Sequence, residues 1–280
     1  MRLLTYLTTS AVVLLVAVPG ALRDATLDLP LRSRVEAFRG SAEWAEVTLR
    51  KQLPIARTAL ILCDLWDDHW CKAAADRTAL LAAKAAPVVD LARDAGMLVI
   101  HAPSSTLDFY RDYPQRRRVF DIPRTEPPAA RDLTDPPLPI DDSDGGCDTP
   151  NNPLPVNFAA WKRQHAAIRI AGNDLISDNG REVYSALKQR GIEHLLVAGV
   201  HTNMCVLNRS FAIRQMTRWG VRCILVRDLT DAMYNPMRRP FVTHERGTQL
   251  VIEHIEKYWA PTVLSPDLVK ALKAAQRQRS

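Results

Sequence analysis

Several features that would assign a chain to a special class are missing from this sequence of 280 residues. It shows no internal repeat and contains only 11 glycines, so repeat and fibrous proteins are excluded. No zinc-binding spacing of cysteines and histidines is present either. Hydrophobic residues make up 47% of the chain, which is enough for one large globular domain with a buried core.

The chain has an excess of positive charge, but the basic residues are not concentrated in one part of the sequence. The formal charge is +6 and the pI is about 9.2, values that raise the question of a nucleic-acid partner. The basic residues are scattered, however, apart from "QRRRVF" at 115–120 and the tail at 266–280, and no aromatic residues are interleaved with them. We therefore expect a solvated loop and a frayed basic tail, and no nucleic-acid partner.

The cysteines are few and odd in number. The five are Cys63, Cys71, Cys147, Cys205 and Cys223. The N-terminus, "MRLLTYLTTSAVVLLVAVPGALRD", has a cationic start, a short apolar run and small residues at its exit, which predicts a signal peptide over 1–21 and an exported protein, periplasmic or secreted. An uncleaved membrane anchor is the alternative. In an oxidising compartment, five cysteines leave at least one thiol unpaired or bound to another chain.

Short apolar runs alternate with helical patterns from residue 58 onward. Five runs are predicted strands: "TALILCD" (58–64), "MLVIHAPS" (97–104), "AAIRI" (166–170), "HLLVAGV" (194–200) and "RCILVRD" (222–228). Runs that are apolar on both faces are typical of parallel strands covered by helices. Most of the helical stretches between and after them end at or beside a glycine. The order predicts an α/β protein, a doubly wound, mostly parallel sheet with helices on both faces.

The chain divides into one main domain and its flanks. We place the domain at 55–265, preceded by an arm or first helix over 22–54 and followed by the tail. Residues 105–160 carry many of the 19 prolines and no sustained periodicity, which favours a lid-like insertion. Its acidic "DDSDGGCD" lacks the spacing of a calcium-binding EF-hand, so we interpret it as a surface turn.

Ligands of doubly wound sheets bind at the carboxyl ends of the strands. The first strand ends at Asp64 and the second at His101, while the fourth leads through "GVHTNMC" to Cys205 at the start of a helix. A carboxylate beside a thiol is a nucleophile with its base, and a helix N-terminus or a nearby cation lowers a thiol pKa. Polarity alone points to Arg169, near the end of the third strand, as one such cation.

Two segments carry a resemblance to a known family. "ALILCDLWDDHW" and "LLVAGVHTNMCVLNRSFAIRQMTRWGVRCILVRDLTDA" resemble the first strand and the nucleophile segment of the isochorismatase-like cysteine hydrolases, which include nicotinamidases and N-carbamoylsarcosine amidases as well as isochorismatases. The likeness spans about residues 55–265. It implies the three-layer sandwich of that family and a cis peptide bond before His201.

The resemblance also implies roles for individual residues. Cys205 would be the nucleophile, Asp64 the general base, and the N–H groups around Met204 and Cys205 the oxyanion hole. The family has a lysine as third member, for which Lys162 is the candidate here, although it precedes the third strand; Arg169 stays open as the alternative.

Pocket residues and metal ligands follow from the same comparison. Trp66, His69, His101, His201 and Met204 are expected to line the substrate pocket. Nicotinamidases of the family bind a metal through an Asp-x-His pair, which "HAPSSTLDFYRDYP" lacks, so we predict neither a catalytic metal nor a cofactor. A zinc site built from His69, Cys71 and their aspartate neighbours is the disfavoured alternative, because so close a spacing fits tetrahedral geometry poorly.

The function predicted from these residues is hydrolysis of a small amide or related C–N bond through a thioester. Two alternatives stay open: hydrolysis of an isochorismate-like vinyl ether, and a non-catalytic binding protein on the same fold. The expected partner is a small-molecule substrate. The resemblance adds the expectation of a homo-oligomer, without stable membrane association once the signal peptide is removed.

Overall fold

The computed structural model describes residues 25–279, so the predicted signal peptide lies outside the described residues. The strands are β1 Thr26–Glu36, β2 Trp44–Pro54, β3 Thr58–Cys63, β4 Leu98–Ala102, β5 Leu175–Ile176, β6 His194–Val200, β7 Arg222–Asp231 and β8 Thr262–Val263. The α-helices are α1 Lys72–Asp94, α2 Pro114–Phe120, α3 Gly180–Gln189, α4 Cys205–Asn208, α5 Ile213–Arg218, α6 His244–Tyr258 and α7 Ser265–Arg279. Within this part of the chain, no helix combines the length and the apolar character that a membrane crossing requires.

All eight strands form one sheet in the order β2-β1-β8-β7-β6-β3-β4-β5. Strands β3 to β8 pair parallel with one another, whereas β1 pairs antiparallel with both β2 and β8. Helices α3 to α6 pack on one face of the sheet, and α1 and α7 pack on the other. The prediction of a doubly wound, mostly parallel sheet with helices on both faces is confirmed.

The expected N-terminal arm or first helix is instead a β-hairpin. Strand β1 pairs with β2 from Thr26 opposite Pro54 to Glu36 opposite Trp44. Leu27, Leu29 and Leu31 alternate along β1 and enter the core between the sheet and α7. This period of two is a strand pattern, so "LDLPL" contained the signal that the helix interpretation overlooked.

Two further predictions need correction. The run 166–170 is not a strand, because only Ile168 in it is buried, and the short strand that extends the sheet beyond β4 is β5. The tail over 266–280 was expected to be frayed, but α7 covers nearly all of it. Leu268 and Leu272 are completely buried on one side of that helix, a spacing that fits a period of 3.6 residues.

The segment 105–160 includes a 3₁₀ turn and α2 and is otherwise irregular. A disulfide between Cys71 and Cys147 ties it to the N-terminus of α1, and Cys63, Cys205 and Cys223 remain free thiols. The expectation that the odd count leaves an unpaired thiol is confirmed.

Candidate active site

The strand ends that carry the candidate residues are neighbours in the sheet. Strand β3 lies between β4 and β6, with Cys63 opposite Ala102 on one side and Gly199 on the other. Gly199 has a φ of +124°, and a Cβ at that position would lie 1.9 Å from the carbonyl oxygen of Cys63. Only glycine permits this approach, which brings the segment after β6 close to the segment after β3.

Asp64 follows β3 in a left-handed conformation, with a φ of +48°, and its side chain is completely buried. Its Oδ1 accepts a hydrogen bond from the Ser104 N–H at 2.7 Å, and its Oδ2 accepts one from Arg209 Nε at 3.0 Å. The Cys205 thiol is an electrostatic neighbour of this carboxylate. Burial raises the pKa of Asp64, while the Arg209 guanidinium and the donated hydrogen bonds act in the opposite direction.

Cys205 opens α4 and is partly exposed. Burial and the carboxylate of Asp64 raise the pKa of its thiol to about 12, and Arg209 offsets only part of this rise. The sequence suggested a thiol pKa lowered by a helix N-terminus. That expectation is not met because the sulfur is buried, because an anion lies beside it, and because α4 is only four residues long.

Backbone N–H groups of the nucleophile turn are the candidates for an oxyanion hole. The peptide bond between Val200 and His201 is cis, as the resemblance implied, and the backbone N–H of His201 acts to lower the pKa of the Cys205 thiol. The Met204 N–H donates to the His201 carbonyl at 3.0 Å, so it is engaged and not free for an oxyanion. The Cys205 N–H has no acceptor among residues 25–279. The candidate oxyanion donors are therefore the N–H groups of His201 and Cys205, in place of the expected pair with Met204.

The cation of the site is Arg209, which the sequence did not single out. Lys162 lies at the surface, where its backbone N–H donates to Asp67 Oδ1 at 2.9 Å, and Arg169 pairs with Asp90 at 3.1 Å. Neither reaches Asp64. Arg209 stands four residues after Cys205, one helical turn along, and this spacing was the available signal.

Aromatic rings form a wall beside the nucleophile turn. The indole of Trp66 stacks on that of Trp161, with a centroid distance of 4.2 Å, and its Nε1 donates to the Ser104 carbonyl. The ring of His69 lies 5.7 Å from that of Trp161 and 4.8 Å from that of His201. Burial lowers the pKa of His69 to about 4 and that of His201 to about 3, so this wall is uncharged at neutral pH.

Two expected pocket residues take different positions. His101 is completely buried below the site, and its ring nitrogens contact Gln164 Oε1 at 2.9 Å and Asp174 Oδ2 at 3.0 Å. With both nitrogens partnered, His101 supports the site from below and does not line the pocket. Met204 is partly buried and packs in the apolar cluster that contains Trp161 and Cys147.

The acidic segment 141–148 is not the surface turn that its sequence suggested. Asp142 Oδ2 accepts from Asn203 Nδ2 at 2.7 Å, and Asn203, two residues before the nucleophile, also hydrogen-bonds the backbone of Met233 through both side-chain atoms. At the other end, Asp148 accepts two hydrogen bonds from Arg77. The segment therefore holds the nucleophile turn against the loop that follows β7.

A metal site was considered from the sequence around His69. Cys71 forms the disulfide with Cys147, which removes its thiolate as a ligand, and the Cys71 N–H donates to His69 Nδ1 at 3.1 Å. Across residues 25–279, no group of three or more His, Cys, Asp or Glu side chains is arranged to hold a metal ion.

The fold and the site together define an α/β protein with a thiol, a carboxylate and a guanidinium at the carboxyl ends of adjacent parallel strands. The family model described as the Isochorismatase domain matches residues 58–263, and the chain belongs to this family. It is thus an isochorismatase-like hydrolase.

Solved structures with related folds come from several bacteria. A cysteine hydrolase from Pseudomonas syringae pv. phaseolicola 1448A has 15% identity and a TM-score of 0.48, with 80% of this chain and 95% of that chain covered. An isochorismatase from Pseudomonas putida KT2440 has 14% identity and a TM-score of 0.45, covering 76% and 90%. An isochorismatase family protein from Burkholderia thailandensis has 16% identity and a TM-score of 0.45, covering 78% and 96%. A search of curated proteins gave no match.

Proposed function

We propose that this hydrolase cleaves a small amide or related C–N bond, with Cys205 as the nucleophile. The observation that carries the proposal is the ion pair between Asp64 and Arg209, with the Cys205 thiol as the electrostatic neighbour of the same carboxylate at the end of the adjacent strand. A thiol beside a buried carboxylate has a general base already in place. Vinyl-ether hydrolysis does not need such a nucleophile, and no contact in the site favours it.

The raised thiol pKa determines how attack begins. The resting pair is a neutral thiol and a carboxylate, so Asp64 takes the proton while the sulfur attacks the carbonyl carbon. The N–H groups of His201 and Cys205 stabilise the oxyanion that forms. Asp64 then gives the proton to the nitrogen, the C–N bond breaks and the amine leaves a thioester on Cys205. Asp64 next removes a proton from water, which attacks the thioester and releases the acid and the thiol.

Arg209 has an electrostatic role in this scheme. A carboxylate as deeply buried as Asp64 would otherwise stay protonated near neutral pH and could not act as a base. The permanent charge of the guanidinium, 3.0 Å from Oδ2, favours the ionised form. We also propose that the uncharged rings of Trp66, Trp161, His69 and His201 favour a neutral, flat substrate at this site.

The test is turnover of a panel of small neutral amides combined with mass spectrometry of the acid-quenched protein. We expect an acyl adduct on Cys205 during turnover, and less than about one hundredth of the activity in Cys205→Ala. The matched control is Cys223→Ala, which removes a buried thiol in β7 and leaves the site intact. Turnover of an isochorismate-like vinyl ether that is retained in Cys205→Ala, with none of the amides cleaved, would favour the vinyl-ether alternative. A folded protein that binds members of the panel and turns none over would favour the non-catalytic one.

We also propose that the protein is exported, with the signal peptide 1–21 removed. The disulfide between Cys71 and Cys147 supports this, because such bonds persist mainly in oxidising compartments. N-terminal sequencing of protein recovered from outside the cytoplasm should find a chain that begins near residue 21 or 22. A chain that retains Met1 and sediments with membranes would instead support the uncleaved anchor.

A further inference from the structure

Strand β2 is the last strand on one side of the sheet. It is eleven residues long and pairs with β1 through one edge, and its other edge has no strand partner in the described part of the chain. A long edge of this kind presents a row of backbone donors and acceptors to any strand that fits it. The question is which strand has the matching side chains.

The middle of β2 is complementary to itself. The five residues Glu46-Val47-Thr48-Leu49-Arg50 run from acid through two apolar positions to base, with threonine at the centre. If two copies pair antiparallel with Thr48 opposite Thr48, Glu46 lies opposite the partner's Arg50 and Val47 lies opposite the partner's Leu49. Opposed side chains in antiparallel strands are close enough for ion pairs and apolar contacts, with Cβ atoms about 5 Å apart.

The two kinds of contact fall on different faces of the sheet. Leu49 lies opposite Leu31 of β1, on the face that carries the apolar core with α7. Glu46 and Arg50 lie on the other face, because side chains alternate along a strand. Pairing would therefore extend the apolar face with Val47 and Leu49 and place the ion pairs on the polar face.

These side chains are available in the single chain. Leu49 is 62% exposed, although it is a large apolar residue on a regular strand. Glu46 and Arg50 form ion pairs with arginines of β1 and with Asp28, respectively, yet their side chains are 48% and 66% exposed. Each can accept a further contact from a second copy without losing its present partner.

Charges on an edge strand usually prevent pairing with a second strand. Whether two copies of β2 can pair therefore depends on which charges face each other. With Thr48 on the twofold axis, no two like charges face each other. A register shifted by two residues loses both ion pairs, and one centred on Glu46 or Arg50 sets like charges in direct opposition. The charges on β2 thus select one register.

We propose that β2 is the interface of a homodimer in which two copies pair antiparallel about Thr48 and form one continuous sheet of sixteen strands. The interface is one strand wide, so the dimer dissociates on dilution. The candidate active site, with Cys205 at the carboxyl ends of the parallel strands, is not part of this interface.

Sedimentation of the purified protein between about 1 and 100 μM tests the association. We expect a monomer that converts to a dimer over this range, and a Leu49→Lys variant that stays monomeric because it brings two further charges into the apolar part of the interface. The matched control is Leu80→Lys on α1, where the leucine is 73% exposed on a helix that packs against α7, β4, β6 and β7. A wild-type protein that is monomeric at the highest concentration overturns the proposal, as does a Leu49→Lys variant that dimerises like wild type.

Cross-linking then tests the register. Thr48→Cys should form a disulfide-linked dimer under mild oxidation, because the two residues lie opposite each other. Gln52→Cys on the same strand should not, because its two copies would be separated by about 27 Å along the strands. Equal cross-linking of the two variants, or cross-linking of Gln52→Cys alone, overturns the proposed register.

Discussion

The charge of Arg209 persists at every pH at which the protein folds, whereas a lysine in a buried site can lose its proton. Its guanidinium approaches Asp64 through Nε alone, which leaves the rest of the fork partly open to solvent. We therefore assign it an electrostatic effect on the ionisation of Asp64 and no direct part in bond cleavage.

Substitution of Arg209 should move the acid limb of the pH profile. In Arg209→Met the buried Asp64 loses its counter-charge and its pKa rises, so the acid limb of kcat/KM should shift to higher pH and kcat at pH 7 should fall by at least about 100-fold. Arg209→Lys keeps a charge and should lose much less. Profiles of kcat/KM against pH for the three proteins decide this, and an unshifted acid limb in Arg209→Met would remove Arg209 from the proposed mechanism.

The reactivity of Cys205 gives a second prediction at this scale. Because the thiol pKa is raised to about 12, iodoacetamide should label Cys205 slowly at pH 7. Asp64→Asn removes the anion and leaves Arg209 beside the sulfur, so the thiol pKa should fall and labelling should accelerate while turnover is lost. Peptide mass spectrometry resolves each cysteine, with buried Cys223 as the internal control. Slower labelling in Asp64→Asn would contradict the assigned charge balance.

The place of a residue in the site was predictable from the sequence where that residue stands at or near the end of a strand. Asp64 directly follows β3, and Cys205 lies five residues after the end of the adjacent parallel strand β6, so topology brings them together. Lys162 was selected by chain order, which does not fix the direction of a side chain in an irregular loop. Arg209 was missed because the cation was sought near the third strand, and not one turn after the nucleophile, where Arg209 stands at the end of α4.

Elements with a clear period were predictable, and those fixed by distant contacts were not. Strands β3, β6 and β7 and the long helices α1 and α6 have runs of apolar residues that tertiary packing did not override. The segment 141–148 has no period. Its conformation depends on Asn203, Arg77 and the disulfide, all remote in sequence, and one chain gives no means of pairing such residues in advance.

The contacts of His244 at the start of α6 predict that the stability of the protein depends on pH. His244 Nε2 lies 2.8 Å from Asp231 Oδ1, and its Nδ1 lies 3.3 Å from Asp148 Oδ2. Burial opposes its protonation, but the two carboxylates prevail and raise the pKa of His244 from 6.5 to about 9. Protonated His244 therefore contributes up to about 3 kcal/mol to the free energy of unfolding. This contribution is fully present below pH 6.5 and is lost as the pH rises through 9.

Urea unfolding of the wild type and of His244→Gln at pH 6 and pH 9.5 measures this contribution. The wild type should lose free energy of unfolding over the interval, and the variant should be less stable at pH 6 and change little. Parallel losses in the two proteins would assign the pH dependence to other groups.

The disulfide should contribute strongly to the stability of the whole molecule, because it joins residues separated by 76 positions. Loss of loop-closure entropy predicts a destabilisation of about 4 kcal/mol in Cys147→Ser, measured by urea unfolding. Cys71→Ser should behave alike, since either change removes the same bond. Cys223→Ala provides the comparison for loss of a buried sulfur alone, and an equal effect there would mean that packing, not the cross-link, accounts for the loss.

The same bond encloses α1, β4 and α2 in a covalent ring. The most exposed part of that ring is the extended, proline-containing stretch 121–139, a natural target for a protease. A single cut there would divide the chain without releasing either piece, since both remain attached through sulfur. Nicked molecules would migrate as two fragments only after reduction, while Asp64 and Cys205, which would then belong to separate polypeptides, could still face each other across the sheet.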